Sequence, residues 1–357
     1  MTSRQAFQAI MACRPAARMP LLVIDPYEAM TVDLWRAAGH VPAGVSPSDV
    51  LRMDPFAPVW LNLGPIPVFE RRRLSENAHE YIETTEMGCT VRSLKEAPGM
   101  YYGHVDHPVK TSDDWQRYRE RLDAVTPGRL WPELEAFVAR VNASETPTCL
   151  TLYPWFFRYG FYLMGMERFL LAFYDQPALI HDIFGHLSRM TRDLIRPLLP
   201  RVRFDCACFA EDLAFCTAPH ISPEIYRDFW LPHQDPVTAE LKAAGIPVIS
   251  LYTSGNCEAL LPLAMQHGIN ATWPCERNAG MDPLHLRRKF GPDLRLIGGV
   301  GHTCLTRGRA AIDAEVRRLR PLIEEGGFIP MLDDMIPPEV DYESYAYCVE
   351  ALRAMSR

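Results

Sequence analysis

The stretch FDCACFAEDLAFCTAPHISPEIYRDFWLP, Phe204 to Pro232, decides the fold. Phe204–Ala210 is a short apolar run without Gly or Pro, which reads as a buried strand. It stops abruptly on two carboxylates, Glu211 and Asp212. After a loop, Ser222 and Pro223 stand as N-cap and first residue of a helix. Four later stretches have the same shape, an apolar run that ends in polar, reactive residues. Ile246–Leu251 leads to Tyr252-Thr253-Ser254-Gly255-Asn256, and Ile269–Pro274 to Cys275-Glu276. Leu294–Val300 leads to His302, and Phe328–Leu332 to Asp333-Asp334. Repeated strand–loop–helix units predict a parallel sheet closed or covered by helices. In a barrel of that kind the chemistry gathers at the C-terminal strand ends.

Upstream, three more strands fit the repeat. Met19–Ile24 ends at Asp25, with Tyr27 and Glu28 beyond it. Asp54–Asn62 is interrupted by Pro55 and Pro58, and Cys149–Tyr153 opens onto Pro154, Trp155 and Arg158. Helices are expected over Thr2–Cys13, Thr31–Gly39, Asp113–Asp123, Pro132–Val141, Met166–Tyr174 and Pro177–Leu199. Tyr81–Lys95 alternates on either side of Met87-Gly88 and reads as a hairpin outside the repeat. Tyr101–Pro108 carries His104, Asp106 and His107 on what reads as a loop. No linker divides the chain. Residues 1–357 therefore read as one α/β domain, a (β/α)8 TIM barrel with an N-terminal β-hairpin insertion.

Composition narrows the function classes. A chain of 357 residues, 48% hydrophobic, can bury a large core. A net charge of -7 argues against a nucleic-acid partner, which favours a basic stripe. No apolar run approaches the roughly 20 residues of a membrane span. The N-terminal residues lack a continuous apolar segment of the secretory kind. Ten scattered cysteines without CxxC pairs read as reduced thiols, which places the chain in the cytoplasm.

The carboxylate-tipped strand is followed by Ser222-Pro223 and Phe229-Trp230-Leu231-Pro232. Further along stand Gly245-Ile246-Pro247-Val248, Ser254-Gly255-Asn256 and Ala279-Gly280-Met281-Asp282, then Gly298-Gly299 and Gly326-Gly327-Phe328-Ile329-Pro330. In this order and spacing they resemble the uroporphyrinogen decarboxylase superfamily, closely over Tyr153–Arg357 and more loosely before. That superfamily also contains corrinoid-dependent methyltransferases and is similar in outline to cobalamin-independent methionine synthase barrels. The resemblance implies a (β/α)8 barrel with a deep cleft at the C-terminal strand ends.

The departures carry as much information. The porphyrinogen decarboxylases hold a polyacid substrate with an Arg-rich loop after the first strand, where this chain has Asp25-Pro26-Tyr27-Glu28. Their catalytic aspartate falls near Asn62. The methyltransferase branch binds zinc through a His-x-Cys pair and a later Cys. Those places read Tyr252, Ser254 and Asp334 here, so zinc enters only through the resemblance, without its usual soft ligands.

Each candidate has a plainer alternative. Of the adjacent Glu211 and Asp212, at most one faces the cleft from an extended strand. Asp212 is favoured as catalytic because the family places a polar pocket group there, and Glu211 as pocket lining. Either could instead cap a helix or pair with an arginine. Tyr252 is a candidate proton donor or oxyanion hydrogen-bonder, against a packed mouth tyrosine. His302 is a candidate proton-transfer group, with Asp333-Asp334 beside it and Asp334 in the catalytic set. The Gly298-Gly299 pair before it leaves room for a ligand to approach the backbone. Asp25, Tyr27, Asn62, Trp155, Arg158, Asn256, Cys275 and Glu276 are candidate substrate contacts. Cys275 also reads as a small buried hydrophobe. Cys206 and Cys208 read as core, and His104-x-x-His107 as solvent-facing rather than metal-binding.

Three functions remain open. The first is methyl transfer from a methylated small molecule to a corrinoid protein. The second is cofactor-free decarboxylation of a small carboxylic acid, and the third a non-catalytic binding barrel. A small-molecule substrate is expected in the first two, with a corrinoid protein as partner in the first and a homodimer possible. One outcome follows from charge alone. Two acids facing a polyacid repel it, by several kcal/mol if desolvated. Purified protein incubated with uroporphyrinogen is expected to release no coproporphyrinogen; its accumulation would overturn the charge argument.

Overall fold

The computed structural model describes residues 1–22, 29–95 and 101–355. In chain order its strands are β1 (Ala57–Trp60), β2 (Arg73–Glu76), β3 (Glu80–Thr84), β4 (Thr90–Leu94) and β5 (Tyr101–Asp106). There follow β6 (Thr148–Leu152), β7 (Cys206–Ala210), β8 (Val248–Tyr252), β9 (Ala271–Trp273), β10 (Arg295–Val300) and β11 (Phe328–Leu332). Seven of them form one parallel sheet in the order β1-β6-β7-β8-β9-β10-β11. β6 and β7 are buried at every position, as expected of parallel strands covered on both faces. Cys206 and Cys208 pack in that core.

The sheet is curled. Phe56, just before β1, meets Trp273 of β9 edge-on with ring centroids 6.4 Å apart, although three strands separate β1 from β9 in the sheet. One end is closed by the helix Ser3–Met11, whose N-cap Thr2 and Gln5 form a capping box. Its Arg4 pairs with buried Asp205 before β7 at 3.0 Å. The Ile10 carbonyl accepts from Gly327 before β11, and the Met11 carbonyl from Arg295 at the start of β10. The helix thus covers the N-terminal strand ends. The opposite, C-terminal ends carry the polar residues.

Two expectations change. The predicted first strand, Met19–Ile24, is represented by a parallel bridge between Leu22 and Asp54. Residues 23–28, including Asp25, Tyr27 and Glu28, lie outside those described. The predicted hairpin is part of a four-stranded antiparallel sheet, β2-β3-β4-β5. The supposed loop bearing His104 and Asp106 is its strand β5. β2 is not legible in the sequence because all four of its residues are exposed, which leaves no alternation to read.

Gly298 and Gly299 have φ of +103° and +75°, a region closed to most side chains. They answer a demand of the backbone. A Cβ on Gly298 would overlap the Pro274 carbonyl, and one on Gly299 the Pro283 ring. Gly298→Ala should destabilise the fold by about 3 kcal/mol in chemical denaturation. Gly308→Ala, at φ +83° with open space around it, should cost less, on the order of 1–2 kcal/mol from backbone strain alone. Equal costs would show that the contact with Pro274 is not the constraint.

Candidate active site

The helix Phe156–Met164 follows β6 and brings no side-chain cap of its own. β7 supplies one. The buried Glu211 carboxylate accepts from the Phe157 backbone N–H at 2.7 Å, from the Arg158 N–H, and from Trp230 Nε1 at 2.8 Å. Trp230 is delivered by a π-helical turn, Tyr226–Trp230, which continues the helix started at Ser222-Pro223. Burial pushes the Glu211 carboxyl up to about 8, against these donors. At 1% exposure Glu211 is a cap and not a pocket wall. The helix-capping alternative holds for it.

Asp212, one residue on, pairs with the Arg158 side chain. The Tyr153 and Tyr162 hydroxyls sit beside that pair, 3.0 Å from one another. Burial raises the Asp212 carboxyl, and the Arg158 and His220 charges pull it back down. His220 lies in the loop after β7, with its ring stacked on Phe157 at 5.3 Å. Nothing periodic in the sequence marks this histidine; its place in the loop after the acid pair is the one signal that could have found it.

A second group lies at the ends of β9, β10 and β11. His302 Nδ1 is 2.9 Å from Asp333 Oδ1, which also accepts from the His302 backbone N–H at 2.9 Å. Asp333 Oδ2 accepts from the Arg277 N–H at 2.9 Å, so the fully buried carboxylate has three donors. The Asp333 hydrogen bond raises the His302 pKa against the effect of burial, and the charges of Asp333, Asp334 and Glu276 add to it. Burial in turn raises Glu276, whose carboxylate accepts from Gly255 N–H at 2.7 Å and feels Asp334, Asp333 and His302. The partner of His302 is Asp333 and not Asp334. Asp334 is exposed and accepts from the next backbone N–H, that of Met335.

Other expected contacts land elsewhere. Trp155 does not overhang the mouth: it is 1% exposed and packs on Phe156 and Phe209. Asn62 is exposed and donates to the Gly128 carbonyl. Asn256 accepts from the Glu258 N–H and so fixes its own turn. Cys275 is 2% exposed at φ +57°, its thiol against the Thr272 carbonyl, and burial pushes that thiol up. That is the wrong direction for a nucleophile. Tyr252 is half-buried, edge-on to Trp273 at 5.0 Å. The Trp273 indole N–H is buried without a partner among the described residues, a place where a ligand acceptor would be held.

Zinc at the methyltransferase position does not fit the residues present. Tyr252, Ser254 and Asp334 offer neither thiolate nor imidazole, and the nearby carboxylates do not bring three ligand atoms together among the described residues.

Residues 81–355 match the family described as uroporphyrinogen decarboxylase (URO-D), and the chain belongs to that family. It is 25% identical over 192 residues to a uroporphyrinogen decarboxylase of Myxococcus xanthus, covering 53% of this chain and 52% of the relative. It is 27% identical over 154 residues to one from Nocardia farcinica, covering 43% and 40%. The chain thus spans about half the length of these curated relatives or less. A methyltransferase from Methanosarcina mazei superposes with a TM-score of 0.60 at 14% identity, over 99% of this chain and 98% of that one. At that identity the likeness speaks for the fold.

The Glu211 cap has a pH signature. Its folded pKa of about 8 stands above the ordinary 4.5. Its contribution to stability is therefore fully present below pH 4.5 and is lost as pH rises towards 8. Glu211→Gln should flatten that part of the stability–pH curve. It should also cost about 1–3 kcal/mol at low pH, because an amide NH2 would face a donor. An unchanged pH dependence would remove Glu211 as the titrating group.

Proposed function

We propose that this chain removes a methyl group from a neutral or cationic methylated small molecule, with His302 protonating the departing heteroatom. The observation that carries this is the setting of His302. Its imidazole is bonded to buried Asp333 and sits in the field of Glu276 and Asp334. Among the described residues no Lys or Arg forms an ion pair with any of these three carboxylates, and the one pair they make is that of Asp333 with His302. Such a site stabilises the imidazolium and repels a carboxylate substrate. The sheet is read as an eight-stranded barrel, the chain at Leu22, bridged to Asp54, leading into the place beside β1.

In the reaction the carbon–heteroatom bond breaks, its electron pair stays on the heteroatom, and that atom takes the His302 proton. A corrinoid protein as acceptor supplies the nucleophile for the methyl group. Asp333 holds one tautomer, with Nδ1–H towards itself and Nε2 towards the substrate. Arg158, between Asp212 and the Tyr153 and Tyr162 hydroxyls, orients the rest of the molecule. Decarboxylation of a small acid is the second reading, favoured by this same Arg158, a cation beside the Tyr153 and Tyr162 hydroxyls that would exchange Asp212 for a substrate carboxylate.

The test is a panel of methylated amines, ethers and thioethers with reduced corrinoid as acceptor, beside a panel of small carboxylic acids. Demethylated product that depends on the corrinoid is expected; carbon dioxide release instead would replace methyl transfer by decarboxylation. His302→Ala should lower kcat/KM by roughly 10²–10⁴ and move Tm little, since Asp333 keeps its two backbone donors. A general acid works below its pKa, so activity should fall as pH rises through that of His302. Asp333→Asn should shift this alkaline limb to lower pH. Full activity in His302→Ala would remove it from the mechanism.

A further inference from the structure

We propose that Cys89, His104 and His107 form a binding site for a divalent transition metal of the zinc class. It is made by the antiparallel sheet and lies apart from the strand-end positions where the methyltransferase branch binds its metal. The inference does not rest on the reaction proposed above.

The geometry comes from an irregularity in the β4–β5 ladder. His104 and His107 are three residues apart, and in a regular strand would point to opposite faces. Thr90 pairs with Asp106 while Val91 pairs with His104, so Val105 is left over as a bulge. The bulge returns both rings to one side, stacked with centroids 5.3 Å apart and planes 9° apart. Cys89 directly precedes Thr90, as His107 directly follows Asp106, so the ladder's end brings thiol and ring together. One ligand atom from each of the three residues lies within 4.8 Å of the others. Zinc–ligand bonds of about 2.0–2.3 Å put tetrahedral ligand atoms roughly 3.3–3.8 Å apart, a closure that small side-chain rotations supply.

The surroundings suit a ligand better than a packed core. Cys89 is 1% exposed, whereas both imidazoles are half-buried. Cys89 Sγ and His107 Nδ1 each lie 3.0 Å from the same acceptor, the Tyr162 carbonyl at the end of the helix Phe156–Met164. His104 Nδ1 is buried with no hydrogen-bond partner among the described residues. A buried unsatisfied ring nitrogen costs about 1–3 kcal/mol, and a metal bond would offset it. Imidazole and thiolate are both zinc ligands, and three of them leave a fourth position for water. Binding replaces the thiol proton: Cys89 S–H loses H⁺ to solvent, and its electron pair goes to the metal. The bound metal would tie the start of β4 to the end of β5; Cys89 would give up its S–H bond to the Tyr162 carbonyl, which His107 Nδ1–H keeps.

The test uses full-length protein stripped of metal and titrated with cobalt(II), which reports thiolate ligation by a charge-transfer band in the near ultraviolet. Wild type should show that band together with tetrahedral d–d absorption, and zinc should abolish both by competition. Cys89→Ser should lose the charge-transfer band, while Cys216→Ser, at an exposed thiol, should keep it. His104→Ala and His107→Ala should weaken cobalt binding by more than the roughly 10–100-fold that loss of an outer-sphere partner costs. His302→Ala should leave the spectrum unchanged, which separates this site from the strand ends. Should Cys89→Ser fail to fold, the two histidine variants, at half-buried positions, decide the question. No band in wild type, or a band and affinity untouched by the histidine changes, overturns the proposal.

Discussion

One buried carboxylate holds the reactive end of this fold together. Asp333 follows β11, accepts from His302 beyond β10 and from Arg277 beyond β9, and donates its own N–H to the Val300 carbonyl. Three strand-end loops therefore meet on one side chain. A buried carboxylate is costly unless its lone pairs are filled, and here backbone donors fill them before the imidazole arrives. The bond to His302 is then a directed addition to an anion that is already compensated. That is why it can raise the histidine without being needed to rescue the acid. A second ring of support stands behind it, where buried Glu315 accepts from Gly301 N–H and from the Arg277 and Arg318 side chains.

On the other side of the strand ends, the same chemistry is used for a different purpose. Glu211 serves the N-terminus of the helix Phe156–Met164, where its oxygens accept from otherwise free N–H groups, while burial outweighs those donors and keeps the acid protonated up to about 8. Capping that helix fixes the start of the turn that carries Arg158. The neighbouring Asp212, pointing the other way along the strand, meets the Arg158 side chain. Two adjacent acids thus hold one helix by its backbone and by its guanidinium. The π-helical turn at Tyr226–Trp230 belongs to the same device, because it sets the Trp230 indole against Glu211.

Much of this is legible in the residues. The apolar runs that stop on polar pairs mark six of the seven parallel strands cleanly, and β1 despite its prolines, since Pro58 needs no ladder bond at that position. What the pattern does not carry is which member of each acid pair faces which way. Glu211 against Asp212, and Asp333 against Asp334, depend on where the strand ends to within one residue, and boundaries are the least determined feature of a pattern. Trp155 and Cys275 escape it for a related reason: a residue just past a strand can turn into the core as readily as over the mouth. The antiparallel sheet is only half visible because β2 is exposed throughout and β5 carries a bulge that breaks alternation. The glycine pair at 298–299 reads as room for a ligand, and the structure adds a demand the pattern does not carry, room for Pro274 and Pro283.

The central claim is that Asp333 holds His302 as a proton donor near neutral pH. The most direct measurement is a nitrogen-15 NMR titration of the His302 ring in the wild-type protein. The account predicts a pKa above the ordinary 6.5, and, once the ring is neutral, a proton retained at Nδ1. A pKa at or below 6.5, or a neutral ring protonated at Nε2, would contradict it.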